Sequence, residues 1–218
     1  MRRTKLFSVK GRMDKFLIRM ILVSVGLILP TAAISANSEL GDRIAEAALA
    51  RTALSIRYDP SYVRIDYPGG DVPADRGVCA DVIIRSLRKV DIDLQQLVHE
   101  DMRSDFSAYP DHWGLTRPDP NIDHRRVPNL ERYFTRAGVK RPQSREAGDF
   151  EPGDIVAWNL RGAGGGWLPH IGIVSAEKAP SGRPLIVHNI GAGVMAEDVL
   201  FAWPVTGHYR IGPDGLGD

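Results

Sequence analysis

The sequence predicts an α+β domain, with helices packed in the first half of the chain and an antiparallel β-sheet in the second. Three observations point to it. Apolar residues recur every three or four positions in several stretches between Ser38 and Gly138. After Gly138 the pattern changes to short β-rich runs separated by glycine-containing turns. Helices followed by strands, rather than alternating with them, match a layered α+β arrangement.

The first helix is expected over Ser38–Leu54, where Leu40, Ile44, Ala47, Ala48, Arg51 and Leu54 share one face and Ser38 stands as the N-cap. Tyr58-Asp59-Pro60 and Tyr67-Pro68-Gly69-Gly70-Asp71 are dense in turn formers and read as loop with some extended pieces. A second helix follows Gly77-Val78, with Cys79 in its first turn and Val82, Ile83, Leu87 and Val90 on its buried face. Further helical patterns run from about Leu94 to Phe106 and from about Asn129 to a stop at Gly138, where a C-terminal glycine is expected. The intervening Tyr109–Pro128, rich in Pro, Asp, Asn and His, reads as a long ordered loop. The strands are expected at Asp154–Trp158, His170–Ser175, Pro184–His188 and His208–Ile211.

Seven basic residues precede an apolar run, Met20–Pro30, which is followed by the small residues of Thr31–Ala36. A basic start, a short apolar core and small residues at a cleavage point form a secretory signal, expected to be cut after Ala36, or after Ala33. Residues 1–36 are then the leader and 37–218 a single domain. Of 28 basic and 27 acidic residues the leader holds seven and one, so 21 and 26 remain, a net charge of −5. That balance excludes a phosphate-backbone partner and leaves no nucleic acid expected. Membrane contact is expected only through the N-terminal segment if it stays uncut. The chain reads as secreted or periplasmic, and as a monomer.

A single cysteine in an exported chain has no internal disulfide partner. Backbone N–H groups at a helix start favour the thiolate, which makes Cys79 a candidate nucleophile; a small buried hydrophobe is the alternative. A cysteine hydrolase also needs a histidine to take the thiol proton and a polar group to orient that histidine. His170 opens one strand and His188 ends the next, so adjacent antiparallel strands would bring them together. No His-Glu-x-x-His, paired cysteines or P-loop occurs, so neither a metal nor a cofactor is expected. His112, Asp119, Asp123 and His124 are a remote candidate for a zinc site.

Four segments, in order, carry a family resemblance: Tyr67-Pro68-Gly69-Gly70 ahead of Cys79, then Glu151-Pro152-Gly153-Asp154-Ile155-Val156, His170-Ile171-Gly172-Ile173-Val174 and Leu185-Ile186-Val187-His188. From about Ile56 to Ile211 the chain resembles the NlpC-type branch of the papain-like cysteine peptidases. Within that group it is most similar to an uncharacterised exported bacterial family, domain of unknown function 1287. The resemblance implies a papain-like fold and an amidase or endopeptidase acting on peptidoglycan stem peptides. In these roles Cys79 attacks a carbonyl, His170 is the base, and His188 or Asn189 orients it. Tyr67 and Trp167 are candidate substrate contacts, Trp167 in the glycine-rich loop Gly162–Gly166 and beyond. The sequence departs from the family at Val78 and at Ala80-Asp81, where Asp and Ser-Gly usually flank the cysteine. Those departures leave room for an acyltransferase using the same thiol, or for a cell-wall-binding module without turnover.

Overall fold

The computed structural model describes residues 31–162, 164–213 and 215–216. The leader expected at residues 1–36 lies, as far as Pro30, outside them. The first helix, α1, runs over Thr31–Leu49 and gives way to a 3-10 turn at Ala50–Ala53. It therefore begins earlier than the expected Ser38, and Leu54 is extended rather than helical. Ile44, Ala45 and Ala48 form its buried stripe. Two short parallel strands, β1 (Arg57–Tyr58) and β2 (Arg76–Gly77), are the extended pieces of the turn-rich stretch.

Helix α2 spans Cys79–Arg88, α3 Leu94–Ser104 and α4 Val127–Arg136. Cys79 is the first residue of α2. The expected start of α3 holds, capped by the Asp93 carboxylate, which accepts from the Gln95 N–H, but the helix stops short of Phe106. At the end of α4, Gly138 adopts φ +74°, the left-handed conformation expected of a C-terminal glycine.

The second half forms a five-stranded antiparallel sheet in the order β6-β5-β4-β3-β7. Its strands are β3 (Ile155–Asn159), β4 (Pro169–Lys178), β5 (Pro184–Asn189), β6 (Val194–Glu197) and β7 (Val205–Tyr209). Strand β6 was not expected; it forms a hairpin with β5 across the Gly191–Gly193 turn. The architecture is α+β, with the helices against one sheet face. Alternation sorts the strands between two cores. Ile155, Ala157, Ile171, Ile173 and Val187 pack with α1, α2 and Cys79. Val156, Trp158, Val174 and Ile186 pack with Phe150 and Leu200 on the other face.

The Pro-Gly-Asp segment joins helix to sheet. Gly153 (φ +85°) lies so close to Gly41 of α1 that a Cβ there would fall 2.3 Å from the Gly41 carbonyl oxygen. Asp154 is wholly buried and accepts hydrogen bonds from His208 Nε2 and Arg210 Nε, each at 2.7 Å, and from the Glu151 N–H. Burial opposes its ionisation, but the bonds from Arg210 and His208 outweigh this and hold the carboxyl below its ordinary value. The segment's conspicuous acid is therefore a clamp on β7.

Candidate active site

Cys79 begins α2 because three contacts fix the turn before it. Val78 is extended and its N–H donates to the Asp81 carboxylate at 2.6 Å, a reach-back from the first helical turn. Asp81 is gripped by Arg125 through Nε and Nη2, both at 2.9 Å, in a nearly fully buried fork. Asn189, at the end of β5, donates from its side chain to the Gly77 carbonyl at 3.2 Å. Asn189 thus tethers the loop that presents the cysteine and makes no hydrogen bond to His170.

Cys79 is 7% exposed and stands in the lining of a cavity of about 210 Å³. Tyr58, Pro60 and Trp113 form part of its wall, with Arg125, Arg126 and Pro169. Burial is the strongest influence on the thiol and pushes its pKa up to about 11. The backbone N–H of Ile171 favours the thiolate, Asp81 opposes it, and the N–H groups of Ala80 and Cys79 favour it more weakly. The expectation of an acidic thiol is overturned. The helix start acts in the expected direction, but loss of solvent outweighs it.

On β4 and β5 the histidines form a relay. His170 Nε2 lies 2.8 Å from His188 Nδ1, and His188 Nε2 lies 2.9 Å from Glu197 Oε2 on β6. A carboxylate only accepts, so His188 carries its proton on Nε2 and presents a lone pair at Nδ1. His170 then donates from Nε2, which leaves Nδ1 as its basic nitrogen. That atom makes no hydrogen bond among the described residues. Burial, then the neighbouring His188, lowers His170 to about 3, so its imidazole is neutral at pH 7. His188 is lowered by burial, with Glu197 pulling the other way. Trp158 and Trp203 flank the pair, with ring centroids 6.0 and 6.2 Å from His170.

His170 and Ile171 project from opposite faces of β4, and no hydrogen bond joins the thiol to either imidazole. Cys79 packs with Ile171 in the core between α2 and the sheet, whereas His170 stands beside Trp158 and Trp203 on the other side of the sheet. Pairing of β4 with β5 runs from Ile173↔Val187 outward to Lys178↔Pro184, so the strands part toward Pro169 and Asn189.

The other candidates lie elsewhere. Tyr67 packs edge-on against His99, 4.9 Å between centroids, and does not line the Cys79 cavity. Its neighbours Gly69 and Gly70 donate to Asp93 and Gln95, so this turn grips the start of α3. Trp167 is exposed on the β3–β4 turn and is also outside the cavity wall. Trp113, from the long loop, stands in that wall instead. Among the described residues no three His, Cys, Asp or Glu side chains gather as metal ligands; Asp119 holds Tyr62 and Asp123 holds the Asp119 N–H. Glu197, Tyr58, Trp113 and Arg126 were not anticipated. Only Glu197 had a sequence signal, the glycine turn after His188 that returns the chain antiparallel.

The solved structure of NlpC1 from Trichomonas vaginalis aligns with 78% of this chain at 17% identity and a TM-score of 0.42. The chain spans 43% of that structure's length. An uncharacterized protein of Escherichia coli (strain K12), YijF, is 54% identical over 177 residues, covering 81% of this chain and 83% of its own. The family model described as domain of unknown function (DUF1287) matches residues 45–211, and the chain belongs to that family.

Proposed function

We propose that this protein is an exported thiol hydrolase that cleaves amide bonds in peptides, with the peptide stems of the bacterial cell wall as its substrate. One observation supports the reading above the others: the His170–His188–Glu197 relay leaves Nδ1 as the basic nitrogen of His170, the arrangement a general base needs. The resting pair is a neutral thiol and a neutral imidazole. Proton transfer from Sγ to His170 Nδ1 therefore accompanies attack on the carbonyl rather than preceding it. The thioester forms as the amine leaves with that proton, and water then releases the acid. Through His188, Glu197 steadies the imidazolium that appears in between. The N–H groups at the start of α2 receive the developing oxyanion.

Incubation of the mature domain and its Cys79→Ala variant with digested cell-wall fragments tests this. New termini identified by mass spectrometry with the parent and not the variant are expected; identical digests from both would end the proposal. With an added amine acceptor, transfer to the acceptor would reveal a transferase.

The raised thiol and the missing thiol–imidazole hydrogen bond favour a second reading, a wall-binding module without turnover. Equal binding of fragments by parent and Cys79→Ala, with turnover by neither, is its signature.

A further inference from the structure

A second cavity of about 210 Å³ shares two wall residues, Trp113 and Arg126, with that of Cys79. Phe106 and Leu115 join Trp113 in giving it an apolar body. A cavity of about 150 Å³ is enough to admit benzene, so this one has room for a single residue of leucine's size. Most of its polar groups are committed within the protein. Tyr109 donates to Asp101 and Ser107 to Asp105. Asp123 is 1% exposed and uses both oxygens, one for the Asp119 N–H and one for Arg126 Nη1. Asn129 donates to the Asp123 carbonyl, and its Oδ1 is sealed from the cavity.

Two charged groups of the lining are left over. Asp111 is exposed and pairs with no side chain among the described residues. Arg126 pairs with Asp123 through Nη1 alone. Its Nε and Nη2 take no partner among the described residues, and neither is one of the unpartnered atoms sealed from solvent. The guanidinium carbon lies 4.0 Å from the Trp113 ring centroid, a stacking that holds the fork in place. Nε and Nη2 are also the donors with which Arg125 grips the Asp81 carboxylate, so this edge of an arginine suits a two-point bond to a carboxylate. One small cavity thus carries an open carboxylate and an open guanidinium that form no ion pair with each other. A lone ammonium satisfies Asp111 but is repelled by Arg126, and a lone carboxylate meets the reverse. A ligand bearing both charges satisfies both.

We propose that this cavity binds the zwitterionic head group of an amino acid with an apolar side chain. The ammonium donates to Asp111, the carboxylate accepts from Arg126 Nε and Nη2, and the side chain lies against Phe106 and Leu115. The proposal concerns binding alone and requires no reaction at Cys79.

Titration of the full chain bearing Cys79→Ala with leucine, followed through the Trp113 indole NMR signal, tests the site. Leucinamide keeps only the ammonium and N-acetyl-leucine only the carboxylate, so each should bind about tenfold or more weakly than leucine. Asp111→Asn should erase the preference for leucine over N-acetyl-leucine and keep that over leucinamide; Arg126→Gln should do the opposite. Loss of a merely structural group would not produce that crossover. Asp111 has no partner to lose, so Asp111→Asn decides the matter even if Arg126→Gln fails to fold. No shift with leucine, a response to either blocked form equal to that of leucine, or a folded Asp111→Asn that still prefers leucine over N-acetyl-leucine would overturn the proposal.

Discussion

Replacing Asp81 by alanine removes the acid that holds both the start of α2 and Arg125. Two losses are combined. The Val78 N–H loses its acceptor, as when a helix cap is deleted, about 1 kcal/mol. Arg125 keeps its charge in a site where its side chain is 3% exposed and loses both forked hydrogen bonds; orphaning one partner of a buried ion pair costs roughly 3–5 kcal/mol. The total, about 4–6 kcal/mol, is a large part of the roughly 5–15 kcal/mol that stabilises an ordinary domain. In equilibrium urea unfolding, with a slope of about 2 kcal/mol/M, the midpoint should fall by about 2 M or more. Arg125→Met in the same chain removes the orphaned charge, so the double variant should recover most of the 3–5 kcal/mol and retain only the capping loss. A cost below about 1 kcal/mol for Asp81→Ala, or a double variant no more stable than the single, would refute the claim that this pair anchors the cysteine turn.

Three further outcomes follow from the same geometry. With the thiol raised to about 11, alkylation of Cys79 by iodoacetamide should be slow at pH 7 and climb roughly tenfold per pH unit toward pH 10; a plateau by pH 9 would contradict the burial argument. Burial lowers His170 to about 3 and His124 to about 4, against 6.5 for a free ring, so below pH 6.5 the unfolded chain takes up protons that the native one refuses. Stability should be full above pH 6.5 and fall as the pH drops toward 4, by up to about 1.4 kcal/mol per pH unit for each ring. Unfolding free energies that stay level from pH 6.5 to 4 would contradict this. Gly153→Ala should destabilise the fold by roughly 1–3 kcal/mol or more, since it strains a positive φ and drives a methyl group into Gly41; an unchanged melting temperature would show that the α1–sheet contact is loose.

The elements set by local rules were legible in the sequence. Cys79 opens α2 where turn residues give way to an apolar period, and Gly138 ends α4 because a left-handed residue is needed there. Three of the expected strands declared themselves by β-branched runs; the fourth, expected at His208–Ile211, starts three residues earlier and runs over Val205–Tyr209. Strand β6 did not, because Val194–Glu197 is short and ends in an acid, and with it Glu197 escaped notice. Residues whose roles depend on distant segments were not legible. Trp113 and Arg126 come from a loop and a helix border without periodicity, and they meet only through tertiary packing. Buried charge misleads in the same way: Arg85 belongs by type on a surface, yet it is buried and holds Asp71 together with the Val72 carbonyl. The thiol pKa was misjudged because sequence shows the helix start that lowers it but not the burial that raises it.

The central claim is that His170 takes the proton of Cys79 as the sulfur attacks a carbonyl. Intact-mass measurement after brief exposure to a peptide thioester probe reads that step directly. The parent should gain one acyl group, located on Cys79 and released by hydroxylamine, while His170→Ala acylates at least a hundredfold more slowly although its cysteine is intact. Equal acylation of parent and His170→Ala, or acylation of neither, would contradict it.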